Sequence, residues 1–490
     1  MRLVAGIDSS TQSCKVTVRD LDTGRSVREG SAPHPSQTIV DPKVWWDALL
    51  AAVRAAGGLD DVLAVSVSGQ QHTPIFLDAQ GVPTAPSPLW NDLGSHPHMV
   101  ALNTELGRDT WIRRTGLPLS LSDTVVKARW LRDEQPDAAA RTAAIAVVHD
   151  WLTWRLRGHG PGTGDVEALV TDRSEASGTG YWSPETGEYQ RDLVVHALGH
   201  DVVLPAVLGP RATAGRTGPG LPGIPEGIPI GVGSGDNAAA ALALGLEEGD
   251  AVLSLGTSGV VYARTALPVH DYAGYVCNYA DATGVHLPIV ATLNAARNLQ
   301  VGAEILGCTH DELADLALSA EPGAGGLTLL PYFEGERTPD LPHARGAVLG
   351  ATLTNFTRPN LARAIVEGTV ASQVAMLDAL EGCGVRARRL LVIGGAAKNP
   401  AVQRVLAELV SLPILVPTPD EYVAKGAAMQ AAVALTGAFP AWPVRTEDVP
   451  PAPPAPQIRR QHHDAQVALG YVVPAPVEVA ASSSGVSAPV

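Results

Sequence analysis

Cysteine is scarce: Cys14, Cys277, Cys308 and Cys383 are the only four in 490 residues, and no two form a CxxC pair. That scatter excludes a disulfide framework and a zinc–thiolate pattern, and it reads as reduced thiols of a cytoplasmic protein. Histidine supplies no metal set either, since there is no HExxH and His462-His463 falls in a Pro-rich stretch. Positive charge is also short, 35 Lys+Arg against 50 Asp+Glu for a formal charge of −15. Counterion release therefore gives no drive toward nucleic acid or an anionic membrane, and any anionic ligand must be held locally. The nine tryptophans are scattered and do not form a base-stacking platform. The apolar run Ala238–Leu246 falls far short of a membrane span, and residues 1–10 lack the apolar core of a signal peptide, which argues against membrane insertion and secretion. Finally, no Gly-Lys dipeptide occurs, so a P-loop lysine has no place in this chain.

What is present is globular: 45% hydrophobic and 17% charged residues, over a length that favours two large domains with a core each. Residues 2–7 and 15–20 read as strands joined by the hydroxyl-rich turn Asp8-Ser9-Ser10-Thr11-Gln12-Ser13. A turn at Asp22-Thr23-Gly24 allows a third strand. Asp41-Pro42 then predicts a helix start, with Asp at the N-cap and Pro at the first position, and Trp45, Leu49 and Val53 on one face. Residues 62–67 read as the next strand. The second half repeats this plan: strands 251–255 and 260–263 flank the turn Gly256-Thr257-Ser258-Gly259, followed later by a helix over 361–381 and a strand over 389–393 that ends in Gly394-Gly395-Ala396. Two copies of a βββαβ unit predict two similar lobes with a ligand cleft between them. Beyond about residue 440 the chain turns Pro- and Ala-rich and reads as a tail or linker, with at most one short helix near 457–472.

A turn rich in Ser, Thr and Gly can present backbone N–H groups and hydroxyls to phosphate, and Asp8 beside one of them offers the oxygen that Mg²⁺ prefers, through water. Lys15 adds a point charge. Either turn alone is also an ordinary hairpin connection, and it is their recurrence in matching places that points to phosphate.

The segment Gly6-Ile7-Asp8-Ser9-Ser10-Thr11-Gln12-Ser13-Cys14-Lys15 resembles the first phosphate motif of the FGGY carbohydrate kinases, in its xylulokinase-like form. Leu253–Gly259 resembles the second phosphate motif, and Ile393-Gly394-Gly395-Ala396 with Asn399 the adenosine motif. Gly69-Gln70-Gln71-His72, Leu89-Trp90-Asn91-Asp92, Gly235-Asp236-Asn237-Ala238-Ala239 and residues 331–339 match further signatures, in order, over about residues 3–435.

The resemblance implies an α/β fold of two ribonuclease-H-like lobes of the actin, hexokinase and Hsp70 superfold. Residues 1–240 would form a sugar-binding lobe, 241–440 an ATP-binding lobe and 441–490 a tail. It implies Mg·ATP-dependent phosphorylation of a ketopentose, D-xylulose above ribulose, a pentitol or gluconate, while an actin-like ATPase without a sugar is the rival from another class. By the same resemblance Asp236 is the catalytic base and Asp8 acts with Mg²⁺. Gln71, His72, Asp92, Asp236 and Asn237 contact sugar, and Thr11, Gln12, Ser13, Lys15, Gly256, Thr257, Ser258, Gly394, Gly395, Ala396 and Asn399 contact ATP. Asp236 also reads as a plain helix N-cap, His72 as a core histidine, and the Glu336-Arg337 pair as a surface loop. Gly233 and Gly235 are read as letting backbone approach ligand. Gln71 stands where Met is frequent in xylulokinases, and Ala396 replaces a third glycine whose absence could crowd adenine. A homodimer is expected by analogy.

Overall fold

The computed structural model describes residues 1–471. Two seven-stranded sheets dominate it. The first comprises β1 (Leu3–Ser9), β2 (Ser13–Asp20), β3 (Ser26–Pro33), β4 (Val62–Gly69), β5 (Thr213–Arg216), β6 (Pro229–Gly231) and β7 (Ser234–Gly235), in the order β5-β6-β4-β1-β2-β3 with β7 beside β4. The second comprises β8 (Asp250–Leu255), β9 (Gly259–Ala263), β10 (Cys277–Ala280), β11 (His286–Thr292), β12 (Arg389–Ile393), β13 (Ile414–Pro417) and β14 (Thr446–Asp448), in the order β10-β11-β9-β8-β12-β13-β14. The second sheet repeats the order β6-β4-β1-β2-β3 of the first as β13-β12-β8-β9-β11, as expected of a duplicated ribonuclease-H-like plan; beyond these, β5 precedes β6 in the chain whereas β14 follows β13, and β7 and β10 have no counterpart. The helices packed on these sheets include α1 (Lys43–Ala55), α2 (Arg173–Ser177), α3 (Asp236–Leu244), α4 (Arg358–Gly382), α5 (Pro400–Leu409), α6 (Tyr422–Thr436) and α7 (Pro456–Ala468).

The chain divides into two compact units. One comprises Met1–Val252, Tyr262–Ile289 and Pro417–Glu447, and the other Leu253–Val261, Val290–Val416 and the described residues 448–471. In the first unit β1 and β2 are antiparallel while β4 runs parallel to β1, reached through α1. Trp45, Leu49 and Val53 of α1 are buried in one core with Ile7, Val16 and Val65. The helix begins one residue later than the sequence predicts: Pro42 is the cap, and Asp41 Oδ1 accepts the Lys43 N–H at 2.8 Å from outside it. β4 continues two residues past 67, and β1 retains Asp8 and Ser9, so the first turn shrinks to residues 10–12.

Helix α6 lies so close to β1 that a Cβ on Gly6 would stand 1.9 Å from the Ala424 carbonyl oxygen, and one on Gly426 would stand 2.1 Å from that of Ala239 in α3. Only glycine permits such backbone contact, so a helix rich in Ala and Gly is what this strand and α3 can pack against.

In the second unit α4 buries Arg363 between Glu367, at 2.6 Å, and Glu408 of α5. The Pro-rich stretch read as a tail is built into this unit up to residue 471. Ile458, His462 and Ala465 of α7 are buried on one face at helical spacing, and Gln466 Nε2 donates to Tyr332 Oη at 2.6 Å. The expected helix forms at Pro456–Ala468, and residues 482–484 lie outside the described part. Among the described residues no helix is long and apolar enough to cross a membrane.

Candidate active site

Three parallel strands of the first unit end side by side. Asp8 of β1 is in register with Ser68 of β4, Ser234 of β7 is in register with the same Ser68, and Ser9 and Gly235 both pair with Gly69. Ligands of open α/β sheets gather at such carboxyl ends, and two carboxylates stand here. Asp8 is buried and accepts the Ser10 hydroxyl. Burial pushes its carboxyl up to about 7; the Ser10 bond and Lys15 oppose that rise, while Asp236 and Glu421 add to it. Asp236 is half-buried and follows β7 directly as the first residue of α3, whose cap is Gly235, so the N-cap reading is one residue out. Burial pushes Asp236 up to about 6, against hydrogen bonds to its Oδ1 from the Asn237 backbone N–H at 2.7 Å and side-chain amide at 2.9 Å. Asn237 thus holds Asp236 through both donors. Among the described residues no three His, Cys, Asp or Glu side chains form a metal cage. A buried carboxylate raised in part by the charge of Asp236 does suit a cation held mainly by water and phosphate, as Mg²⁺ usually is.

Gly233 and Gly235 are needed by the protein itself. A Cβ on Gly233 would stand 2.2 Å from both His149 Nε2 and the Val67 oxygen, and one on Gly235 would stand 2.6 Å from Gln71 Cγ. Gln71 lies against the residue before Asp236 and donates Nε2 to the Ser174 oxygen at 2.9 Å. Sequence reasoning missed the polar struts behind this turn. Ser174 of α2 accepts the Gly235 N–H at 2.9 Å and donates to Asp172 at 2.6 Å, and buried His149 contacts the Val232 oxygen through Nε2 at 2.9 Å. Burial alone would lower the His149 pKa, but Asp150 on Nδ1 and Asp172 hold it above the ordinary value. Nothing in local sequence marks these struts, because the Gly235 and Val232 backbone groups they hold are about 60 to 80 residues away.

His72 has φ of 74°, a left-handed conformation uncommon outside glycine and often found at functional sites. Its Nδ1 lies 2.6 Å from the Gly178 oxygen, Thr124 Oγ1 donates to its carbonyl at 2.8 Å, and its ring meets Tyr279 edge-on at 5.7 Å. Asp92 is buried, accepting Thr38 Oγ1 at 2.8 Å and the Gly94 N–H at 3.0 Å. Its own carbonyl accepts buried Lys127 Nζ at 2.9 Å; burial pushes this lysine down to about 8, while Asp92 and Asp123 oppose the fall. Lys127 was not read from the sequence, although a lysine inside the apolar helical stretch 124–131 was the available signal. Trp90 Nε1 donates to Thr11 Oγ1 at 2.9 Å, tying the Asp92 loop to the first turn. Gln12 is exposed, Ser13 opens β2, and Lys15 is paired with Glu421 at 2.7 Å.

In the second unit Thr257 and Ser258 are exposed at the tip of the β8–β9 turn, and the Gly256 carbonyl accepts the Ala296 N–H at 2.9 Å. Gly394 has φ of 93°, and a Cβ there would stand 2.5 Å from the Leu255 oxygen. The end of β8, which leads into the 256–258 turn, and the loop after β12 therefore lie against each other. Nothing lies within 4 Å of a Cβ on Gly395, whereas Ala396 is buried. Asn399 caps α5, its Oδ1 accepting the Ala401 and Val402 N–H groups. Glu336 is no surface residue: it is fully buried and braces the Leu293 N–H at 2.7 Å and Asn294 Nδ2 at 3.0 Å.

Comparison with known proteins bears on both halves. Residues 3–243 match the N-terminal domain of the FGGY family of carbohydrate kinases, and residues 251–435 match its C-terminal domain. A xylulose kinase of Streptomyces coelicolor is 41% identical over 444 residues, covering 89% of this chain and 88% of that protein. One from Haemophilus influenzae is 30% identical, covering 87% and 89%. The crystal structure of xylulose kinase from Bifidobacterium adolescentis superposes with a TM-score of 0.89 at 42% identity, over 95% of this chain and 99% of that one. Plasmodium falciparum glycerol kinase with ADP, at 18% identity and a TM-score of 0.82, shares the fold. With both halves matched in order and relatives aligned along nearly their whole lengths, the chain belongs to the FGGY family and is a carbohydrate kinase.

Proposed function

We propose that the chain transfers the γ-phosphoryl group of ATP to the terminal hydroxyl of D-xylulose, giving the 5-phosphate and ADP. The observation that carries this reading is the pair Asp8 and Asp236 at the ends of parallel strands, in a chain whose full-length relatives are xylulose kinases. Asp236 is the base: pushed up to about 6, it is ionised at neutral pH yet basic enough to take the hydroxyl proton as the loose transition state forms. Gln71, His72, Asp92 and Asn237 orient the sugar. Thr11, Gln12, Ser13, Gly256, Thr257 and Ser258 receive the phosphates, and Gly394, Gly395, Ala396 and Asn399 the adenosine. Lys15, held by Glu421, must leave that carboxylate to reach phosphate. Asp8 would hold Mg²⁺ through water, and the ion supplies charge neutralisation on the transferred phosphoryl group. A cytoplasmic setting, where ATP is at hand, goes with this reading.

The test is a sugar panel in a coupled ADP-release assay, run on the native protein and on Asp236→Ala. D-xylulose should give the highest kcat/KM, and the variant should lose about 10²- to 10⁴-fold in kcat. Near-normal turnover by Asp236→Ala removes the base assignment. A better ribulose, pentitol or gluconate substrate removes the sugar, and ADP release that needs no sugar removes the kinase reading altogether.

A further inference from the structure

A cavity of about 360 Å³ opens in the first unit where the β2–β3 turn meets the start of α6. None of the residues assigned above to sugar or ATP lines it. Four cations do, Arg19, Arg25, Lys425 and Arg445, with Asp420 as the single carboxylate, and Trp442 forms a wall. In a chain of formal charge −15 this is a local reversal of sign.

Asp420 does not neutralise it. Both its oxygens are taken by Arg19, at 2.5 and 3.1 Å, which leaves three cations in excess. Lys425 is only 4% exposed, and its Nζ makes no hydrogen bond among the described residues: Asp420 Oδ2 is 3.8 Å away and the Tyr422 ring lies 5.8 Å from it. Arg19 Nε is buried without a partner. The guanidinium groups of Arg25 and Arg445 have no carboxylate or carbonyl partner among the described residues. Neighbouring acids are committed elsewhere, Asp22 to Arg2, Glu421 to Lys15, and Asp20 to the Thr23 N–H and hydroxyl. Helix α6 runs for 15 residues and its first turn has no side-chain cap, so its N-terminal N–H groups add to the field.

Buried donors without acceptors are costly, and a buried ammonium that makes no hydrogen bond is costlier still. An oxyanion with several acceptor oxygens would satisfy Lys425 Nζ and both exposed guanidinium groups together, and phosphate has the charge and the acceptor count. We propose that this cavity is a binding site for a small phosphate-bearing anion. Its volume leaves room for the organic part of a phosphate ester beside Trp442 as well as for inorganic phosphate.

Isothermal titration of the full chain with potassium phosphate, and separately with ribose 5-phosphate, tests this and tells the two sources apart by their relative affinity. Arg25→Ser with Arg445→Ser changes only exposed residues; Lys425→Met in a second variant removes the buried ammonium at similar volume. Each should weaken the tighter-binding probe by about tenfold or more, as expected for lost charge-assisted bonds, while the sugar kinase activity of the Arg25→Ser/Arg445→Ser protein stays at the native level. Isotherms unchanged in the double variant, for both probes, would place all phosphate binding elsewhere and overturn the proposal. Absence of saturable binding of either probe to the native chain would do the same.

Discussion

Replacing Asp8 by asparagine should make the first unit more stable at pH 8 than the native protein, although it removes the carboxylate proposed to act with Mg²⁺. Burial and the Asp236 charge push the Asp8 carboxyl from an ordinary 3.8 up to about 7. A group raised in the folded state favours folding while it is protonated there, so its contribution is fully present below the unfolded value and is lost as pH rises through the folded one. The window spans about three pH units, or ~4 kcal/mol at 1.36 kcal/mol per unit. Between pH 5 and pH 8 roughly two of those units are lost, ~2–3 kcal/mol, and asparagine, which does not titrate, loses none of it. The stability gap between Asp8→Asn and the native chain should therefore widen by ~2–3 kcal/mol from pH 5 to pH 8 in favour of the variant. Urea unfolding without nucleotide or metal, followed by tryptophan fluorescence, reads this directly, because all nine tryptophans belong to the first unit. Equal slopes on denaturant make the comparison valid. A gap that stays constant with pH, or narrows, would show that Asp8 is already ionised in the folded protein at pH 5 and would refute the reasoning.

Gly6→Ala would drive a methyl into the Ala424 oxygen and the Ala428 nitrogen, backbone atoms that cannot swing aside, so fluorescence-detected unfolding should show a loss of about 3 kcal/mol or more. Arg363→Met should cost the second unit about 3–5 kcal/mol by leaving Glu367 buried without its cation and Glu408 with Arg404 alone. Calorimetry should show that loss largely recovered when both glutamates are also made apolar. The pH profile of kcat/KM should fall on the acid side of about pH 6, where Asp236 takes up its proton and can no longer accept one from substrate. A profile flat down to pH 5 would separate Asp236 from the proton transfer.

The repeated strand–turn–strand–helix–strand order was legible in the chain because strands and helices are written locally, in apolar spacing and in turn residues such as Asp22-Thr23-Gly24. Both hydroxyl-rich turns could be found in the same way, and matched motifs then supplied roles that spacing alone could not. Partners far apart in sequence were decided only by the fold. Register among β1, β4 and β7 brings Asp8 and Ser234 level across more than 220 residues, and nothing near either residue announces it. Ser174 beneath Gly235, Lys127 beneath Asp92, and Glu421 on Lys15 are of the same kind. So are the conditions that set charge: Asp8 and Asp236 look like ordinary acids in the sequence, and burial above all raises them. Burial likewise turned a Pro-rich stretch into a packed helix, since Ile458, His462 and Ala465 find their apolar surroundings only once the second unit has formed. A chain can spell its own elements because those depend on neighbours along the backbone, whereas desolvation and long-range contact depend on what packs around a residue, and that exists only in the folded state.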